Sequence, residues 1–151
     1  MKTIIIYVSS HHKNTKKIVN SMAEDNKIET CEISKAKNID LNKYDCIGFA
    51  SGIYYHNFHE SITKLVEETT FKKSQKIFTV YTCGINYINY ARNLEKIIKS
   101  KECTYIGCFS CRGYDTFSFF EKIGGIAKNH PNDKDIKNAQ KFINENNITG
   151  E

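Results

Sequence analysis

The run Thr3-Ile4-Ile5-Ile6-Tyr7-Val8-Ser9-Ser10-His11-His12-Lys13-Asn14-Thr15 decides the architecture. Its first half, Thr3 to Val8, is nearly continuous apolar sequence. A strand buried on both faces reads this way, as central strands of parallel sheets do. Its second half is polar and leads into a helix, because Ile18, Val19, Met22 and Ala23 recur at helical spacing. Strand, polar loop and amphipathic helix in that order open a β–α–β unit.

The same alternation continues outward. Ile28 to Ile33 alternates and predicts a second strand. Cys46-Ile47-Gly48-Phe49-Ala50 predicts a third, ending at Ser51-Gly52. His59 to Thr69 predicts a helix with Ile62, Leu65 and Val66 on one face. Lys76 to Thr82 predicts a fourth strand, Tyr87 to Ser100 a helix, and Thr104 to Phe109 a fifth strand. The last helix starts near Asn132-Asp133, where Asn132 and Asp135 have the spacing of a capping box. Parallel strands need helical crossovers, which are right-handed. The expected fold is therefore α/β: a three-layer, doubly wound, five-stranded parallel sheet in the order 2-1-3-4-5. Residues 1–151 suit a single domain of this kind.

Composition narrows the function. The chain is 40% hydrophobic and 12% aromatic, with a formal charge of +5. Its cations are spread along the sequence, without a basic stripe interleaved with stacking aromatics, so no nucleic-acid partner is expected. No stretch is long or apolar enough to span a membrane. The short apolar start is no secretory signal, so a cytoplasmic location is expected. In such a compartment the six cysteines are expected to be reduced. Cys108 and Cys111 form a C-x-x-C on or just after a strand, away from any helix N-terminus, and no second motif completes a zinc site.

Ligands of open α/β sheets bind beyond the carboxyl ends of the strands, at the switch point of strand order. Four loops fall there. In the first, Ser9, Ser10, His11, His12, Lys13, Asn14 and Thr15 join a buried strand to a helix N-terminus. Free backbone N–H groups and the helix dipole suit a phosphate. The same residue types also serve as ordinary caps. The loop lacks the glycines of a Walker or dinucleotide fingerprint. In the second, Ser51, Gly52, Ile53, Tyr54, Tyr55 and His56 supply two adjacent aromatics that could plate a flat ligand or simply pack. The third offers Thr82, Cys83, Gly84 and Tyr87. The fourth offers Cys111, Gly113, Tyr114 and Asp115.

Together these loops resemble the flavodoxin family, in its short-chain form. Ser9 to Thr15 resembles the family's phosphate loop, closest to members that read His-His-Gly-Asn-Thr. Ser51 to Tyr55 with Phe58-His59 resembles its isoalloxazine loop. Cys111 to Thr116 and Gly124 to Pro131 resemble its C-terminal segments. The resemblance implies FMN as cofactor, with the phosphate on Ser9–Thr15 and the ring between the Tyr54-Tyr55 and Thr82–Tyr87 loops. It implies an electron carrier without catalytic side chains. Lys13, His56 and Asn129 stand where the family has glycine, which eases positive φ. The positive charge departs from acidic family members and points to an acidic redox partner, such as a ferredoxin-like protein or a reductase. Two other readings stay open. One is an FMN-dependent oxidoreductase acting on a quinone or porphyrinogen-like substrate. The other is a domain that has lost the cofactor.

Overall fold

The structure, a computed structural model, describes residues 1–10, 12–116 and 123–151. Five strands run parallel: β1 (Thr3–Tyr7), β2 (Glu29–Glu32), β3 (Cys46–Tyr54), β5 (Lys76–Cys83) and β6 (Thr104–Arg112), in the order β2-β1-β3-β5-β6. The small strand β4 (Asn57–Phe58) pairs antiparallel with the end of β3. Once this hairpin strand takes a number, the order matches the expected five-stranded sheet.

Every residue of β1 is buried. Side chains of a strand alternate between faces, so its residues divide between two cores. Ile4 and Ile6 join Ile47, Phe49, Ile62, Val66, Leu94 and Ile98 under α2 (Glu60–Glu68) and α3 (Arg92–Lys99). Ile5 and Tyr7 join Ile18, Met22, Phe78, Ala139 and Ile143 under α1 (Asn14–Glu24) and α4 (Asp133–Glu145). That makes three layers, helices on sheet on helices. Gly48 lets the second core close. A Cβ there would lie 2.4 Å from the Phe78 ring.

The ends of the elements differ from the sequence reading at two informative places. The third strand does not stop at Ser51-Gly52 but runs to Tyr54, because Ser51 and Gly52 still pair with Tyr81 and Thr82. The helix expected from Tyr87 begins only at Arg92. The Asn89 side chain accepts from the Ala91 amide at 3.0 Å and turns the chain before the helix can start. The capping box of the last helix is present, with Asn132 and Asp135 bonded reciprocally.

Cys108 and Cys111 both lie on β6. Three residues apart on a strand, they face opposite ways: Cys108 packs toward the α2–α3 core and Cys111 toward the α1–α4 core. All six cysteines are free thiols. Among the described residues no helix is long and apolar enough to cross a membrane.

Candidate functional site

The switch point lies between β1 and β3, whose crossovers leave on opposite faces of the sheet. The loop after β1 starts in register, with the Val8 amide on Ala50 O at 3.0 Å. It then turns through His12 (φ 33) and Lys13 (φ 53), both left-handed without being glycine. Lys13 becomes the N-cap of α1. Ser9 Oγ accepts from the Lys16 amide at 3.1 Å. The Asn14 and Thr15 amides lie ahead of that bond at the open end of the helix, where the dipole favours an anion.

Side chains of this loop reach the neighbouring loops. The Thr15 and Thr82 hydroxyls are 3.0 Å apart and buried. Ser10 Oγ is hydrogen-bonded to Tyr54 OH. Asn14 Nδ2 donates to Tyr114 O at 2.7 Å. The His12 ring packs on Tyr114 with centroids 4.0 Å apart, and its Nε2 lies 3.0 Å from Thr116 Oγ1.

Between these contacts lies an open groove of about 430 Å³, including its solvent mouth. The space enclosed between the walls is only about 40 Å³, short of the roughly 300–1,000 Å³ of small-molecule sites, so a ligand of that size enters only if the loops part. Ser10, Asn14, Thr15, Gly52, Ile53, Tyr54, Thr82, Cys83, Gly84, Gly113, Tyr114 and Asp115 line it. All twelve are among the residues singled out in the sequence, and they come from four separate loops. Two of the glycines permit close approach. A Cβ on Gly84 would meet Asp115 and Ile126 at 2.7–2.8 Å, and one on Gly113 would meet the Asn14 side chain at 2.6 Å.

Among the described residues the other candidates do not line the groove. Ser9 caps the helix behind it. His12 and Lys13 form its rim at the first loop. Ser51 is fully buried beneath the hairpin, where its Oγ accepts from the His59 amide at 2.9 Å. Tyr55 and His56 form the two-residue tip of the β3–β4 hairpin, at φ 49 and 66. Left-handed φ at both tip positions is the type I′ pattern, usually met by Asn-Gly. Tyr87 is 64% exposed. Cys111 is buried among the side chains beneath α1 and α4. His11 lies outside the described residues. Of the three glycine substitutions, Lys13 and His56 adopt left-handed φ, whereas Asn129 does not; Ala127 (φ 53) takes that role in its segment.

The sequence did not reveal what holds the fourth loop. Gly113 N donates to Cys83 O and Tyr114 N to His130 O, each at 2.9 Å. Asp115 and Ile126 exchange both backbone hydrogen bonds at 2.9–3.0 Å. No residue pattern signals such an isolated bridge.

Burial pushes the Cys83 thiol up to about 12, partly opposed by Arg112. The groove wall therefore carries a neutral thiol at neutral pH, not a thiolate. Among the described residues no cluster of three His, Cys, Asp or Glu could hold a metal ion.

The fold defines an α/β protein with a groove at a topological switch point. The model of the flavodoxin domain family matches residues 4–124, and the chain belongs to that family. An uncharacterised protein of Methanocaldococcus jannaschii is 39% identical over 144 residues, which cover 94% of this chain and 95% of the relative. The structure resembles a Streptococcus pneumoniae flavodoxin with a TM-score of 0.72, at 12% identity over 97% of this chain and 98% of the other. It resembles a mutant Fusobacterium nucleatum flavodoxin bound to flavin mononucleotide with a TM-score of 0.67, at 17% identity over 97% and 96%.

Proposed function

We propose that this chain binds one FMN in the groove and serves as an electron-transfer protein. The observation that carries the reading is the open first turn of α1 at the switch point, with four loops converging on the same groove. The donor set fits the cofactor. The Asn14 and Thr15 amides and the Ser10 hydroxyl can take the phosphate, with Lys13 beside them. Tyr54 supplies an aromatic plate, and the Thr82–Gly84 and Gly113–Asp115 segments supply backbone edges for a flat polar ring. Bound FMN would supply the redox chemistry; the protein holds and orients it. Seating a ring beside Tyr54 exchanges the Ser10–Tyr54 hydrogen bond for contacts with the ring.

The loss-of-cofactor reading is the weaker one. Lys13 and His56 take left-handed backbone despite their side chains. The loop shapes that glycine usually provides are thus kept.

The test is to add FMN to the purified protein, remove the excess and record the visible spectrum. One flavin per chain, reducible in the bound state, supports the reading. A colourless protein that leaves FMN fluorescence unquenched overturns it.

A further inference from the structure

Tyr54, the aromatic wall of the groove, is held at two points. Its hydroxyl is hydrogen-bonded to Ser10 Oγ of the first loop. Its ring meets the His59 ring at right angles, with centroids 5.2 Å apart and the planes at 88°. The first contact is given up when a flat ring is seated in the groove. The second can persist, because a perpendicular neighbour covers one face of an aromatic ring at most.

The hairpin explains why these two side chains meet. Ile53 pairs with Phe58 and Tyr54 with Asn57. Side chains alternate along a strand, and directly opposed residues share a face. Tyr54, Asn57 and His59 therefore lie on one face, with His59 on the diagonal from Tyr54. Continuing the register puts Gly52 across from His59. The Tyr54 phenol lies over that glycine, since a Cβ there would be 3.5–3.7 Å from its atoms.

His59 is itself fixed. Its amide donates to Oγ of the fully buried Ser51 at 2.9 Å. It is the N-cap of α2, where its Nδ1 accepts from the Ser61 amide at 3.1 Å and lies 2.7 Å from Ser61 Oγ. The preferred N-caps are Ser, Thr, Asp and Asn, so capping alone does not call for an imidazole. Histidine joins two roles: one nitrogen ends the helix, and the ring reaches Tyr54. We infer that His59 is a positioning residue that acts through Tyr54, with α2 holding the imidazole and the imidazole holding the Tyr54 ring at the place of the flavin ring. The inference rests on the proposed function, since the ring that Tyr54 would plate is that of FMN.

The test separates the two roles. Asparagine can cap α2 but brings no ring; phenylalanine brings a ring but cannot cap. FMN and riboflavin affinities are read by flavin fluorescence quenching, and a urea midpoint is taken for each protein. His59→Asn should keep the midpoint and weaken FMN binding about threefold to tenfold. Riboflavin binding should weaken by the same factor, because the phosphate contacts are untouched. The visible circular dichroism of the bound flavin should change with it. His59→Phe should lower the midpoint yet bring FMN affinity back to within about twofold of the wild type. In a Tyr54→Ala background, His59→Asn should have no further effect on FMN affinity. Unchanged FMN affinity in His59→Asn overturns the inference, as does an equal loss with and without Tyr54. So does a fall in FMN affinity that riboflavin does not share. If His59→Phe does not fold, His59→Asn and the Tyr54→Ala background still decide. A wild-type chain that leaves FMN unquenched is a distinct result, which overturns the proposed function and this inference with it.

Discussion

The hydroxyls of Thr15 and Thr82 meet at 3.0 Å across a buried gap, joining the first turn of α1 to the carboxyl end of β5. The two residues are far apart in sequence and belong to two of the four loops. This contact sets the distance between the phosphate-type loop and the opposite wall of the groove. Removing one partner leaves the other buried without it, which costs about 1–3 kcal/mol. Thr15→Val or Thr82→Val should each lower the urea unfolding free energy by that order. The double variant should cost less than the sum of the two. Strict additivity would show that the bond does not couple the loops.

His56 holds left-handed φ at the hairpin tip without being glycine. Glycine carries no steric penalty there. His56→Gly should raise stability by roughly 0.5–1 kcal/mol, read as a higher thermal midpoint. A loss of that size would mean that the stack on Tyr90 outweighs the backbone strain.

Gly48 has the opposite character. Its constraint is space, because a Cβ would sit 2.4 Å from the Phe78 ring. Gly48→Ala should destabilise by about 1–3 kcal/mol through overpacking. A neutral effect, measured by urea denaturation, would show that Phe78 can move aside.

Much of this was legible in the sequence because it follows from period and composition. The apolar run of β1 and the helical spacing of Ile18, Val19 and Met22 state the first β–α unit directly. The groove lining was legible because loops at strand ends are fixed by topology. Three things were not. Ser51 and Gly52 look like breakers, yet pairing with Tyr81 and Thr82 keeps them in the strand. Tyr87 has helical spacing to Ala91 and Leu94, but Asn89 turns the chain locally and delays the helix. The mutual pair Asp115–Ile126 depends on the path of an irregular segment, which no local pattern encodes.

The thiols predict a pH response. Burial pushes Cys46, Cys83 and Cys108 up to about 12 from an ordinary 9.0. Cys111 is raised further by the same cause. Below pH 9 these groups are protonated in both folded and unfolded chains and contribute no pH dependence. Above pH 9 the unfolded chain releases protons that the folded chain keeps, so stability falls as pH rises. The urea unfolding free energy should drop by at least ~2 kcal/mol between pH 9 and 10.5. The same thiols should resist Ellman's reagent at pH 7 until the protein unfolds. A flat profile to pH 11, or rapid labelling of the native chain, would contradict this account of the core.

The central claim is that the open end of α1 and the converging loops form a flavin phosphate site. Parallel fluorescence titrations with FMN and with riboflavin, which lacks the phosphate, test it most directly. The account predicts quenching by one FMN per chain and binding of riboflavin at least about tenfold weaker, since a lost charge-assisted phosphate contact is worth about 1.4 kcal/mol or more. Equal affinity for the two would contradict the phosphate assignment, and no quenching by either would contradict the site itself.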